Sequence, residues 1–321
     1  MNDHPSISVI VPTYNRENSL LDCLVSVLAQ DYLGQMEIIV VDQTPTHSQG
    51  VLDFFTRNRR MITRIEHQEP NLPKARNTGA AAAQGELLTF VDDDVFLPPY
   101  TLTSLARHFR GTTLKAVTGL VLSEADRNGS LRAYARQFGS TSVEEAQGPV
   151  RVGGFISALM MVSAKVVRAV GGFDPLLGLL TPTAYGEDDD FCCRLRRAGV
   201  PMWIDPSVRV VHRDHLAGGC GSRQTDTVQA LQYHMKSMAY IRIKHHGRLG
   251  ASGWLQLARA YLVNRKALWK GPGEVIKNFR IIRTALQEVK AFMAENGAEG
   301  PAHRALSARP LKLDSLNRQE P

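Results

Sequence analysis

The chain has 321 residues, 43% of them hydrophobic, and a formal net charge of +7. That length and composition support a full core in one large domain, with or without an appendage, and exclude a disordered or fibrous chain. The apolar runs fall well short of the ~18 residues needed to span a bilayer, and Met1-Asn2-Asp3-His4-Pro5 lacks the charged and apolar parts of a signal peptide, so a cytoplasmic protein is expected.

Ile7 to Val11 reads as a buried strand that Pro12 stops, because proline has no amide donor and restricts the residue before it. Thr13, Tyr14, Asn15 and Arg16 form the loop that follows. Leu20, Leu21, Leu24, Val25, Val27 and Leu28 recur at helical spacing between Glu17 and Gln30. A second buried strand, Met36 to Val41, carries Asp42 at its carboxyl end. A helix near Gly50 to Arg59 and a weak strand near Ile62 to Glu66 follow. Pro73 suits the first turn of a helix that runs into Ala80 to Ala83 and places Lys74 and Arg76 where an anion could be met. A surface helix that merely displays both cations is the plainer alternative.

Leu87 to Val91 is an apolar run that ends in Asp92-Asp93-Asp94. Three adjacent carboxylates at the end of a buried strand repel one another unless a cation or ligand compensates them. A divalent metal with a diphosphate fits such a site, and a solvated acidic turn is the alternative. Beyond it come a helix opened by Pro98, with Leu102, Leu105, Ala106 and Phe109 inward, and a strand from Lys115 to Leu122. Ser123 to Pro149 is polar and weakly patterned, and reads as a loop over the site. Gly153 to Val162 reads as a strand, followed by a short helix and the turn Gly171 to Pro175. A second acidic cluster, Glu187-Asp188-Asp189-Asp190, opens a helix that closes with Arg194, Arg196, Arg197 and Gly199. Helix-dipole complementarity explains part of that pattern but not four acids in a row. Strands from Met202 and through Val208 to Val211 lead to His212, and the flexible Gly218 to Arg223 follows. A lone histidine after a strand is more often structural than a ligand.

Strands alternating with helices imply a parallel sheet covered on both faces, which binds ligands beyond the carboxyl ends of its strands. Pro12 to Arg16, Asp42 and Asp92 to Asp94 all fall at that edge. The four cysteines, Cys23, Cys192, Cys193 and Cys220, have no zinc spacing and are expected to be reduced.

Taken together, Val11-Pro12-Thr13-Tyr14-Asn15-Arg16, Val40-Val41-Asp42, Ala75-Arg76-Asn77-Thr78-Gly79, Asp92-Asp93-Asp94, Gly171-Gly172-Phe173-Asp174 and Gly186-Glu187-Asp188 resemble the family-2 glycosyltransferases over about residues 6 to 216. The resemblance implies a GT-A fold, a single Rossmann-like and mostly parallel sheet with helices on both faces. It implies an inverting hexosyl- or deoxyhexosyl-transferase that uses a nucleoside-diphosphate sugar and a divalent metal, Mn2+ or Mg2+. Pro12, Thr13, Tyr14, Arg16, Asp42, Arg76, Asp92 and Asp93 would form the nucleotide-sugar site. Asp94 and His212 would be metal ligands, and Asp188 the base that takes the acceptor proton. Two departures are Gln43-Thr44-Pro45, where many members carry an acid and a serine, and Asn71 in a place often held by glycine, tolerable because asparagine accepts positive φ. The Gln-x-x-Arg-Trp motif of processive synthases is absent, so addition of one sugar to a glycan or lipid-linked acceptor is expected.

Twelve Lys and Arg against two Glu lie between Met235 and Phe292, so a catalytic domain over residues 1–230 is slightly acidic and an extension over 231–293 is basic and helical. Its aromatic residues, Tyr240, Trp254, Tyr261, Trp269 and Phe279, fit contact with an anionic membrane, at its inner face; a helical cap with a solvated basic face is the alternative. Residues 294–321 read as a disordered end. A nucleotidyltransferase lacks its glycine-rich, lysine-containing loop here. Nucleic-acid binding leaves both acidic clusters unexplained, so no nucleic-acid partner is expected.

Overall fold

The structure is a computed structural model that describes residues 4–67, 69–111, 115–123, 143, 146–182, 184–213, 227–246 and 272–296. In chain order the strands are β1 (Ile7–Thr13), β2 (Met36–Asp42), β3 (Ile62–Glu66), β4 (Leu87–Val91), β5 (Val95–Phe96), β6 (Ala116–Ser123), β7 (Val150–Val152), β8 (Leu159–Ser163) and β9 (Met202–His212). The helices are α1 (Glu17–Leu28), α2 (Gln49–Arg57), α3 (Leu72–Ala82), α4 (Thr101–Ala106), α5 (Ala164–Val170), α6 (Pro175–Leu180), α7 (Glu187–Arg197), α8 (Thr227–His246) and α9 (Pro272–Asn296). The expected loop over the site, the segment Gly218 to Arg223, Trp254, Tyr261, Trp269 and residues 297–321 lie outside the described residues, apart from a few positions before β7.

The strands form one sheet in the order β3-β2-β1-β4-β8-β6-β9-β5, with β7 on β9. Pairing is parallel from β3 to β4 and between β6 and β9. It is antiparallel at β4–β8, β6–β8, β5–β9 and β7–β9. An apolar run reports burial on both faces but not strand direction, so only the first half could be ordered from the βα alternation. Alternate residues serve the two faces: Ile7, Val9 and Val11 pack with α1, α2 and α4, whereas Ile10, Leu88 and Phe90 pack with α5 and α7.

Four local expectations are corrected. Strand β1 does not stop at Pro12 but runs through it to Thr13, opposite Val41 and Asp42 of β2, where pairing with β4 has already ended at Ile10. The segment after Val200 is one strand, β9, because Pro206 to Val208 bulge out; the register jumps from Asp205 opposite Gly119 to Arg209 opposite Leu120. A Cβ at Gly119 would lie 2.5 Å from the Val208 carbonyl oxygen, so the bulge needs glycine there. The strand expected from Gly153 begins only at Leu159. Asn71 has φ −154°, extended rather than positive. It serves as the N-cap of α3, its Oδ1 accepting from Lys74 N at 3.0 Å.

Helices α8 and α9 pack against each other and against α6 through Leu177, Met235, Ala239, Ile282, Leu286 and Val289. Among the described helices none is long and apolar enough to cross a membrane.

Candidate active site

The carboxyl edge of the sheet gathers the first polar clusters by register. Thr13 pairs with Asp42 across β1 and β2. Asp42 Oδ1 accepts from Thr44 N at 3.0 Å, and its Oδ2 lies 2.6 Å from His47 Nε2 and 2.7 Å from Arg64 Nε. His47 Nδ1 is 3.0 Å from Glu17 at the start of α1. The two departures from the family pattern have local work. Gln43 Oε1 accepts from Asn71 N at 2.6 Å, and Thr44 Oγ1 from Asn15 N at 2.9 Å, tying the loops after β1 and β2 to α3. His47 and Arg64 were not singled out in the sequence, where nothing in their spacing points to Asp42.

The three aspartates after β4 diverge. Asp93 is buried and accepts from Thr13 Oγ1 at 2.6 Å and from Arg16 Nη1 at 3.1 Å. Asp94 accepts from the same Arg16 nitrogen at 2.7 Å. The two-residue strand β5 pairs Val95 with His212, which brings His212 Nε2 to 3.1 Å from Asp94 Oδ1. Asp92, Asp94 and His212 each turn one ligand atom into a group that lies within 4.8 Å. The Asp92 side chain is 26% exposed and that of Asp94 1%. Pro12 is buried, and Tyr14 is half-buried in the loop beside them.

Of the two cations in the first turn of α3, Lys74 stays on the surface, whereas Arg76 is 1% exposed. Its guanidinium lies 2.7 Å from Asp92 Oδ1, pairs with Glu187 Oε1, and sits 5.2 Å from the centre of the Phe173 ring. Ser157 Oγ donates to the same Glu187 oxygen at 3.3 Å. Arg76 therefore bridges the end of β4 to the first turn of α7, which also carries Asp188. Gly186 caps α7 with φ +76°, and Asp188 Oδ1 accepts from Asp189 N at 2.9 Å.

Around this edge stand Asp92, Asp93, Asp94, Glu187 and Asp188, against two guanidinium groups. Burial, only partly offset by Arg16, pushes Asp93 up to about 7. Burial, offset in part by Arg76, pushes Glu187 up to about 8. Burial and the neighbouring Asp189 push Asp188 up to about 7. The cluster is short of positive charge, and two carboxylates with an imidazole are a donor set suited to a divalent ion. Carboxylates fit Mg2+ or Mn2+.

These shifts have a consequence for stability without metal. Asp93, Glu187 and Asp188 hold protons in the folded state that the unfolded chain releases near pH ~4, so stability falls as pH rises from about 5 to 8. Asp190 has the opposite sign: despite its burial, Arg194, His245 and Lys244 hold it well below the usual range, and its contribution is lost only in stronger acid. The melting temperature of metal-free protein should drop between about pH 5.5 and 8 and be recovered by Mn2+. A melting temperature that is flat or rising over that window contradicts the charge deficit.

Residues 8–171, about half of the chain, match Glycosyl transferase family 2. The chain belongs to that family. Among relatives, a pre-mycofactocin glycosyltransferase of Mycobacterium tuberculosis is 27% identical over 250 residues, covering 75% of this chain and 48% of that protein. An N-acetylglucosaminyltransferase of Azorhizobium caulinodans is 27% identical over 204 residues, covering 61% and 51%. The chain thus spans about half the length of these curated relatives. Two solved structures share the GT-A fold. The mannosyltransferase PcManGT of Pyrobaculum calidifontis, in complex with GDP-Man and Mn2+, superposes with a TM-score of 0.53 at 19% identity, covering 95% of this chain and 79% of that one. S. aureus TarS 1-349 with UDP-GlcNAc gives 0.56 at 16% identity, covering 94% and 87%. This family-2 chain is built on a single α/β sheet.

Proposed function

We propose that this family-2 chain is a glycosyltransferase that moves one hexosyl or deoxyhexosyl group from a nucleoside-diphosphate sugar to an acceptor hydroxyl, with inversion and with help from a divalent metal. The observation that carries the reading is the bridge made by Arg76, which ties Asp92, beside the Asp94–His212 pair, to Glu187, next to Asp188. Its Asp92 side adjoins the donor groups, and its Glu187 side adjoins the acceptor-side base.

Asp92, Asp94 and His212 would hold the metal. When bound, it supplies the positive charge that neutralises a diphosphate leaving group. Thr13 and Arg16 orient Asp93 and Asp94, while Asp42, framed by His47 and Arg64, shapes the end of the site where a nucleoside base fits. Pro12, near the end of β1, and Tyr14, just after it, would belong to the same nucleotide site. Asp188, partly accessible at the start of α7, removes the acceptor hydroxyl proton as that oxygen attacks the anomeric carbon. One displacement from the face opposite the leaving group inverts the configuration.

A thermal-shift series of nucleoside diphosphates with Mn2+ tests the donor side and fixes the base. One diphosphate should raise the melting temperature with Mn2+ and not with EDTA; no shift from any of them sinks the reading.

A glycan or lipid-linked acceptor in bacterial-type glycan or glycolipid synthesis suits the basic C-terminal helices, with the protein working in the cytoplasm at an anionic membrane surface. On α9, Ile276 and Phe279 are 55% and 48% exposed beside Lys277, Arg280 and Arg283. Such a face binds by apolar insertion plus charge. Vesicles of anionic lipid should float the protein at low salt, and vesicles of neutral lipid should not. Failure to float on anionic lipid removes the membrane from the account.

A further inference from the structure

Helix α8, outside the region that matches the family, touches the α7 end that carries Asp188 at four points. Ile241 packs on the cap: a Cβ at Gly186 would lie 2.8 Å from Ile241 Cδ1. His234 meets the exposed ring of Tyr185 edge-on, with 4.8 Å between centres, just after Ala184, whose φ of 47° is unusual for a residue with a side chain. His245 Nε2 lies 2.9 Å from Asp190 Oδ1, and Lys244 Nζ pairs with the same oxygen and lies 2.7 Å from Asp174 Oδ2. Arg197, at the other end of α7, donates to the His245 carbonyl.

The chemistry of this contact is unusual for a docked helix. Asp190 is fully buried, the Lys244 side chain is 2% exposed, and Tyr240 OH adds a 2.8 Å bond to Asp174. The apolar side of α8 is spent on α9 and α6, not on the two cores of the sheet. An apolar interface tolerates sliding, but buried charges lose heavily when displaced by an ångström, so a buried ionic contact fixes one arrangement. Without α8, Asp190 would keep Arg194, and Asp174 would lose both Lys244 and Tyr240.

We propose that α8 completes the active site, with Lys244, His245 and Ile241 as positioning residues that fix the turn from Gly186 to Asp190 and so place Asp188. The inference rests on the reading of Asp188 as the acceptor-side base. Nucleotide binding is built on β1, β2 and β4; Arg76, which pairs with Glu187 inside the turn, keeps its second partner Asp92 when the turn loosens.

The test is His245→Ala in the full chain, with nucleoside-diphosphate release at saturating donor and Mn2+ as one readout and amide hydrogen exchange as the other. Release should fall about tenfold to a hundredfold, as small misplacements of a reacting group do, while nucleoside-diphosphate affinity stays within about twofold. Amides 187–190 should lose protection, and those of β1 and β4 should keep it. His245→Gln, which retains a donor for Asp190, should recover most of the turnover. Wild-type turnover and protection in His245→Ala overturn the proposal, as does loss of nucleotide affinity in step with turnover. If His245→Ala does not fold, Ile241→Ala takes its place with the same expectations. If the wild type releases no nucleoside diphosphate, the glycosyltransfer reading fails, while the exchange of amides 187–190 still decides whether α8 holds the turn.

Discussion

Asp188→Asn should lower sugar transfer by about 10²-fold to 10⁴-fold, the range spanned by a positioned general base, while leaving affinity for nucleoside diphosphate and Mn2+ within about twofold. Asparagine has the same shape and still accepts from Asp189 N, so the first turn of α7 keeps its bonds. It cannot take a proton. The buried Arg76–Glu187 pair, which ties α7 to Asp92, is left intact by the substitution. Burial and Asp189 push its carboxyl up to about 7, and a base works only when ionised. The free-enzyme rate should therefore rise with pH through about 7 and level off above it. Parallel loss of transfer and nucleotide affinity would make Asp188 a structural residue instead.

The second large effect belongs to Asp94→Asn. Its carboxylate is 1% exposed, with Oδ1 toward His212 and Oδ2 toward Arg16, so it is the buried member of the Asp92–Asp94–His212 group. A ligand at a hundred times its dissociation constant stabilises the folded chain by ~2.7 kcal/mol. Wild-type protein should show the corresponding rise in melting temperature with Mn2+. Asp94→Asn should show none, with transfer down at least ~10²-fold. His212→Ala keeps both carboxylates and should fall between the two. An unchanged Mn2+ response in Asp94→Asn would place the metal elsewhere.

Much of this arrangement could be read from residues. Val9 to Thr13, Val40 to Asp42 and Phe90 to Asp94 announce themselves because apolar strands end in polar groups, and a parallel sheet collects such ends at one edge. What could not be read depends on contacts that leave no periodicity. Strand β5 has two residues, yet it sets His212 against Asp94. His47 and Arg64 reach Asp42 from a loop and from β3, with no spacing to mark them. Helix α6 was hidden behind a turn, since Pro175 both ends one pattern and opens the next. The basic character of residues 235–292 suggested a surface, but Lys244 is buried between two aspartates, where net charge has no bearing on exposure. The acids of α7 also divide in a way that charge counting misses. Glu187 faces Arg76 and Asp190 faces α8, so the four acids of this turn do not form one cluster.

The central claim is that a metal-dependent donor site built on β4 works with a separate base on α7. Release of nucleoside diphosphate from a nucleotide sugar, followed with Mn2+ and then with EDTA, tests it most directly. The account predicts release that requires the sugar nucleotide matching the base found by thermal shift, falls to background with EDTA, and returns when Mn2+ is restored in excess. Release that continues undiminished in EDTA would contradict it.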